Sequence, residues 1–337
     1  MEQRSLKILK IKILSAFVVL AASLPAWSQT CQSREEMPEQ VKTAIESAAQ
    51  QVFEQSSRGD VTSLKANSVP SLQSSFNGIA AAVNDNKAVL AGARTQLRSA
   101  FLLDTGGTPS ADGRFYCGVF GAGGLTSNSA EFDFPGLSSG KYAVAIQDFI
   151  GNKGPYALST IFQDMSGWKL AGFYIRPETA LGHDGLWYLQ QARAYKTKSQ
   201  NHNAWFYYTT SWELLAPMTS MDTKLLSKII QESNSIQPKD VPVGDKPVSF
   251  SANGKTYSMI DMSIFRTDTT FDLSIRYSAP NTADFNATQA DARTLGNAFV
   301  AQYPELKEAF NRIQVHAVDN SGADVVGLVD LKPAAKP

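Results

Sequence analysis

Near residue 95 the spacing of apolar residues changes from every third or fourth position to every second, and this switch limits what the first half of the chain can fold into. Before it, EMPEQVKTAIESAAQQVFEQSS (36–57) lines up Val41, Ile45, Ala48, Ala49, Val52 and Phe53 on one side of a helix. Pro38 suits the first turn. Arg58-Gly59-Asp60 supplies a glycine for a left-handed C-cap and an aspartate to cap a short helix over 61–66. A second helical region covers 71–82 and extends toward Leu90. After the switch, 96–104, 114–120, 130–134, 141–149, 156–163 and 168–175 read as strands parted by Gly and Pro clusters. Helices followed by successive antiparallel strands bury their apolar faces together as an α+β unit, a curved sheet wrapping a long helix.

The last of these strands reads GWKLAGFYI (167–175). With the long helix ending in Gly-Asp and the second helix, it resembles the NTF2-like (cystatin-like) superfamily over about residues 36–177. The resemblance implies a cone-shaped fold with a pocket. It implies no particular activity, because the superfamily holds isomerases, dehydratases and non-catalytic binding modules. FDFPGLSSGKYAVAI (132–146) is also similar to a turn of small secreted β-sandwich modules, which would make 95–177 a β-sandwich behind a helical segment. Both readings stand at this point.

The middle of the chain, 178–233, is helical. Trp187, Tyr188, Gln191, Ala192 and Tyr195 mark one helix; Ala204, Trp205, Tyr208, Ser211, Trp212 and Leu215 mark another, stopped by Pro217. Tyr188, Ala192, Tyr195, Ala204 and Tyr208 resemble the helix hairpin of tetratricopeptide repeats, with Ser211 in place of the usual alanine and no second copy 34 residues on. One hairpin cannot form a solenoid, so its apolar face must pack on neighbouring units. A third helix is expected over 223–233. NSIQPKDVPVGDKP (234–247), with three prolines and no periodicity, reads as a linker or extended surface segment. Residues 248–331 follow the order βββααββ, which predicts a small two-layer α/β sandwich of antiparallel type, and 332–337 reads as a disordered tail.

Residues 1–28 carry a basic start, the apolar run ILSAFVVLAASL and small residues before Gln29, the pattern of a cleaved secretory leader. Later segments are too short and too polar to cross a bilayer as helices. Export to a periplasmic or extracellular location places Cys31 and Cys117 in an oxidising compartment, where a disulfide closing a loop of about 86 residues would contribute roughly 4 kcal/mol. Basic and acidic residues balance at 31 each, and loss of the leader leaves a chain three charges negative. Without a basic cluster, nucleic acid is not an expected partner.

Chemistry-bearing motifs are sparse. His183, Asp184 and His202 are close in sequence, but their spacing is not that of a zinc site, and GHDG reads more simply as a turn with Asp184 capping the next helix. The Gly-rich run 117–124 is followed by a polar loop and lacks Gly-Lys-Ser/Thr, so it reads as a hairpin loop and not a phosphate cradle. No Gly-x-Ser-x-Gly elbow occurs. No cofactor signature is present, and none is expected to bind. The best acid/base candidate is Asp148, in phase with Tyr142, Val144 and Ile146, with Tyr116 or Tyr174 as hydroxyl donors to a substrate. The aromatic set Trp187, Tyr188, Trp205, Tyr208 and Trp212 is the alternative functional feature, either a packing seam or a recognition surface for an envelope protein, a peptide or a glycan. The sequence therefore favours an exported, non-catalytic binding or scaffolding protein acting through an aromatic helical surface. Its rival is an isomerase or hydrolase with a cone pocket using Asp148.

Overall fold

A computed structural model describes residues 29–107, 109 and 112–332. The leader expected over 1–28 and, apart from Lys332, the tail expected over 332–337 lie outside the described residues. The chain is α+β, with 25 helices and strands among the described residues.

β1 (Thr30–Ser33) precedes α1 (Glu39–Arg58). Gly59 ends α1 at φ 69°, with its own N–H and that of Asp60 returning to the carbonyls of Ser56 and Gln55. The Asp60 carboxylate then accepts from Ser63 N–H at 3.0 Å and starts α2 (Val61–Ala66). The second helical region is broken into α3 (Pro70–Ser74), α4 (Asn77–Asp85) and α5 (Lys87–Leu90). The break after α4 follows from Asn86, whose side chain donates to the Ala82 carbonyl at 2.8 Å and competes with the next helical turn.

The strands are β2 (Thr95–Asp104), β3 (Arg114–Gly118), β4 (Ser129–Asp133), β5 (Lys141–Gly151), β6 (Gly154–Asp164) and β7 (Trp168–Pro177). They do not form one sheet. β1, β2, β5, β6 and β7 make an antiparallel five-stranded sheet in that order, while β3 and β4 leave it for a second sheet. Ala143, Ala145, Phe149, Leu158 and Phe162 face one way and meet Ile45, Ala49, Val52 and Phe53 of α1. Tyr142, Val144, Ile146 and Ile161 face the other way and meet Phe115, Cys117, Phe132 and Phe134 of the second sheet. The large sheet is thus covered on both faces. A disulfide joins Cys31 of β1 to Cys117 of β3, Cα atoms 5.0 Å apart, and ties the two sheets together.

A short ribbon, β8 (Thr179–Ala180) and β9 (His183–Asp184), leads into α6 (Gly185–Thr197) and α7 (Asn201–Leu215). β10 (Met221–Thr223) then returns to the first half and adds a third strand to β4. Met218, just before it, is fully buried between the two N-terminal sheets. α8 (Lys224–Asn234) follows, capped by the Thr223 hydroxyl.

The last unit comprises β11 (Val248–Ala252), β12 (Lys255–Arg266), β13 (Phe271–Ser278), α9 (Phe285–Gln302), α10 (Leu306–Ala309), β14 (Arg312–Val318) and β15 (Asp324–Asp330). The expected wholly antiparallel sheet is corrected at its centre, where β13 and β14 pair in parallel, Leu273 with Ile313 through Ser278 with Val318. The crossover through α9 and α10 carries the chain back to the starting end of β13, as a parallel pair requires. α6, α7 and α8 share one apolar core with this sheet. Phe271 of β13 sits 5.6 Å from the Tyr188 ring and 5.2 Å from that of Tyr207, and stacks on Phe310 at 5.7 Å.

Candidate functional site

Three turns converge where the two halves meet. The β5–β6 turn carries Lys153. The β8–β9 turn holds Leu181 and Gly182, both in the left-handed region at φ 51° and 79°. The β12–β13 turn carries Thr267 and Asp268, closed by a 2.8 Å bond between the hydroxyls of Thr267 and Thr270. Together they enclose a cleft of about 680 Å³ whose apolar walls include Tyr156, Pro177, Leu181 and Leu214. Across its mouth Lys153 Nζ reaches the Asp268 carboxylate at 3.1 and 3.2 Å. Both side chains are exposed, so this pair holds the turns together by no more than about 1 kcal/mol.

Deeper in, Arg266 donates from Nη2 to Glu213 of α7 at 2.8 Å, while its Nη1 is buried without a partner among the described residues. The Tyr188 hydroxyl below donates to the Ala180 carbonyl at 3.1 Å and holds the short ribbon in place. Burial pushes its pKa up to about 12 against the opposing charge of Arg266. Burial also raises the hydroxyl of Tyr156.

A second hollow of about 460 Å³ adjoins the first, and Pro155 lines both. Its walls hold Arg94, Asp148, Ile150 and Glu178. Arg98 is clasped there between the carboxylates of Asp148 and Glu178. Burial works against the guanidinium charge, but the two carboxylates outweigh it and raise its pKa above the ordinary value.

Asp148 keeps its phase with Tyr142, Val144 and Ile146, and that phase puts it on the sheet face opposite α1. Its carboxylate is committed to Arg98. Tyr116 points outward from the small sheet, more than half exposed, and packs edge-on against Phe120. Tyr174 of β7 lies at the border of the core between the sheets. No hydrogen bond or ion pair joins Asp148 to either tyrosine among the described residues, so the structure does not assemble them as one constellation.

The three metal candidates are also apart. His183 stacks on the indole of Trp187 at 3.8 Å. Asp184 accepts from the Trp187 N–H at 2.8 Å and caps α6. His202 opens α7, beyond the whole length of α6, and pairs through Nε2 with Asp240 at 2.9 and 3.1 Å. No group of three or more potential ligands gathers among the described residues.

The aromatic set divides. Tyr188 and Tyr208 are 2% and 0% exposed and belong to the core, because the α6–α7 hairpin lies flat on the C-terminal sheet and α8. The Tyr208 hydroxyl is spent inside, on Glu232 at 2.9 Å. A recognition surface can draw only on Trp187, Trp205 and Trp212, which are partly buried. Sequence reasoning missed Lys153, Leu181, Arg266 and Asp268 as a group. The cleft is made of three separate turn tips, with Lys153 and Asp268 115 positions apart, and no local pattern joins them.

Compared with protein-family models, with curated proteins and with solved structures, the chain matches none of them.

Proposed function

We propose that this is an exported, non-catalytic binding protein whose ligand lies in the cleft between its two halves. One observation carries the reading: a 680 Å³ cleft at the junction, continued past Pro155 by a 460 Å³ hollow. Ligand sites favour such junctions, with apolar walls and a few polar groups to fix orientation. Two hollows sharing Pro155 leave room for a chain-like ligand, and we favour a peptide segment. Tyr156, Leu181 and Leu214 would take its side chains, and Lys153, Arg266 and Asp268 would meet its polar groups. These charges are already engaged by Asp268, Glu213 and Lys153, which supports binding over acid–base chemistry. The aromatic helices then serve mainly as the scaffold that positions Leu181 and Leu214. On this reading the first half is a variant of the NTF2-like cone with an extra sheet on its far face, and α6–α7 is a single tetratricopeptide-like hairpin. The disulfide supports export.

The test is peptide-library selection on the chain lacking residues 1–28, followed by calorimetry. Selected peptides should lose at least about tenfold in affinity with Leu181→Asn, which tolerates the left-handed backbone but removes the apolar wall. A Lys153→Cys/Asp268→Cys cross-link over the mouth should abolish binding. Peptides that bind both variants as tightly as the parent would sink the proposal.

A further inference from the structure

A second site lies against the middle of α1, at the opposite end of β6 and β7 from the cleft and roughly 25 Å from it by the rise of a strand. The segment after α2 is tied to β7 there. Leu170 N–H donates to the Asn67 carbonyl at 3.0 Å, and Val69 N–H donates to the Leu170 carbonyl at 2.9 Å. β7 bulges beside this tie, since Ile161 faces Gly172 while Phe162 faces Leu170, leaving Ala171 unmatched. The β6–β7 turn closes the rim, with Ser166 and Gly167 at positive φ, 59° and 129°. Between α1, Asn67 and this turn a pocket of about 170 Å³ remains.

Gln55 is the decisive residue. It is 6% exposed, it lines this pocket, and its Oε1 is buried with no hydrogen-bond partner among the described residues. Its backbone carbonyl is already taken by the Asp60 N–H, so what it brings to the wall is the side-chain amide. A buried acceptor left unpaired costs stability. The last torsion of a glutamine is broad, so this amide can turn its oxygen to a donor placed in the pocket. Gln51, one turn earlier on α1, and Asn67 line the same space, and their side-chain amides make no hydrogen bonds to other described residues. Val52, Phe162 and Leu170 form the apolar floor, and Trp168, half-buried against the α1 core, adds an aromatic wall.

We infer that this pocket binds a sugar, one hexopyranose ring at a time. Size sets the first limit. A cavity of about 150 Å³ holds one benzene, so this one takes a single six-membered ring with its outer substituents toward the mouth. The lining sets the class. An amide donates through its nitrogen and accepts through its oxygen, which matches a hydroxyl that does both, and three such amides meet here. The indole wall suits the C–H face of a pyranose. A purely apolar ring would leave the amides unpaired. The lining holds no carboxylate to draw an ammonium ligand, and the one ammonium of Lys169 beside three neutral amides does not make an anion site.

The experiment is a nitrogen NMR titration of the chain lacking residues 1–28 with the methyl pyranosides of glucose, galactose, mannose and N-acetylglucosamine, against sorbitol as an open-chain polyol. At least one pyranoside should give saturable shifts at the side-chain amides of Gln51, Gln55 and Asn67 and at the Trp168 indole N–H, and sorbitol should give none. Gln55→Leu keeps the side-chain size and removes the unpaired acceptor. It should leave thermal unfolding unchanged or raised and weaken binding at least about fivefold. Asn67→Ala, away from the apolar floor, should weaken it about threefold. Linear shifts with all four pyranosides would overturn the inference. So would an equal response to sorbitol, or binding unchanged in both variants. A response lost in Leu181→Asn instead would place the sugar in the junction cleft and overturn the assignment to this pocket.

Discussion

The hydroxyl of Ser159, buried in the middle of β6, donates to the carbonyl of Pro217 at 3.1 Å. This bond fixes the point where the chain, leaving the C-terminal core at the end of α7, is built into the N-terminal sheets through Met218 and β10. Ser159→Ala leaves that carbonyl buried and unpaired, a cost of about 1–2 kcal/mol. Met218→Ala opens a cavity between the sheets and should cost about 2–5 kcal/mol. Urea denaturation followed by circular dichroism measures both. A loss below about 0.5 kcal/mol in each would show that the seam contributes little to stability.

The disulfide is a second tie within the N-terminal half. It closes a loop spanning 86 positions, and the double substitution Cys31→Ser/Cys117→Ser should lower stability by roughly 4 kcal/mol. The same shift should follow when the parent chain is unfolded with reductant present. Agreement between the two would attribute the effect to the cross-link and not to the serine hydroxyl buried at position 117.

Much of this framework was legible in the residues. The strands expected over 96–104 and 141–149 are observed as Thr95–Asp104 and Lys141–Gly151, and the cysteines pair. What could not be read was pairing. The alternation of Phe115, Cys117, Phe132 and Phe134 looks the same whether β3 and β4 join the large sheet or stack on its face. Period-2 spacing reports that a strand has a buried side and not which sheet it belongs to. The parallel β13–β14 pair was hidden for the same reason, since it depends on where α9 and α10 return the chain. At the candidate sites, the phase of Asp148 was readable but its clasp on Arg98 was not, and Asp240 gave no sign that it would face His202.

Asp291 of α9 predicts a pH dependence. It accepts from Lys255 at 2.5 Å, from Tyr257 at 2.8 Å and from Tyr277 at 2.9 Å, joining the helix to β12 and β13. Burial opposes its charge, yet these three donors lower its pKa below the usual 3.8. A carboxylate lowered in this way stabilises the fold fully above its unfolded value and loses that contribution as pH falls through the folded value. Burial and Asp291 raise the hydroxyls of Tyr257 and Tyr277 above 10, so their contribution is present below pH 10 and declines as pH rises beyond it. Asp291→Asn should therefore cost about 2 kcal/mol between pH 5 and 9, with the difference from the parent shrinking below pH 4 and above pH 10. Thermal unfolding across pH checks this; a constant difference from pH 2 to 11 would contradict it.

Gly185 tests how closely α6 and α7 must cross. A Cβ placed there would stand 2.5 Å from Leu215 Cγ and 3.0 Å from the Ser211 carbonyl oxygen, while Ser211 Oγ donates to the Gly185 carbonyl at 2.7 Å. Two effects of Gly185→Ala compete. Alanine favours the helix by up to about 1 kcal/mol over glycine. Crowding in a packed contact costs about 1–3 kcal/mol, and here the Leu215 side chain must move while the neighbouring Ser211 oxygen is backbone and cannot turn aside. Crowding should win, with a net loss of about 1–2 kcal/mol. The mechanism makes a sharper demand than the sign. Leu215→Ala removes the atoms that Cβ meets first, so in a double-mutant cycle the second substitution should recover at least about 1 kcal/mol of the loss from the first. Additive losses would place the cost in the helix start itself and not in the crossing, and the hairpin would then owe its geometry to the Ser211 bond instead of to the absence of a side chain at position 185.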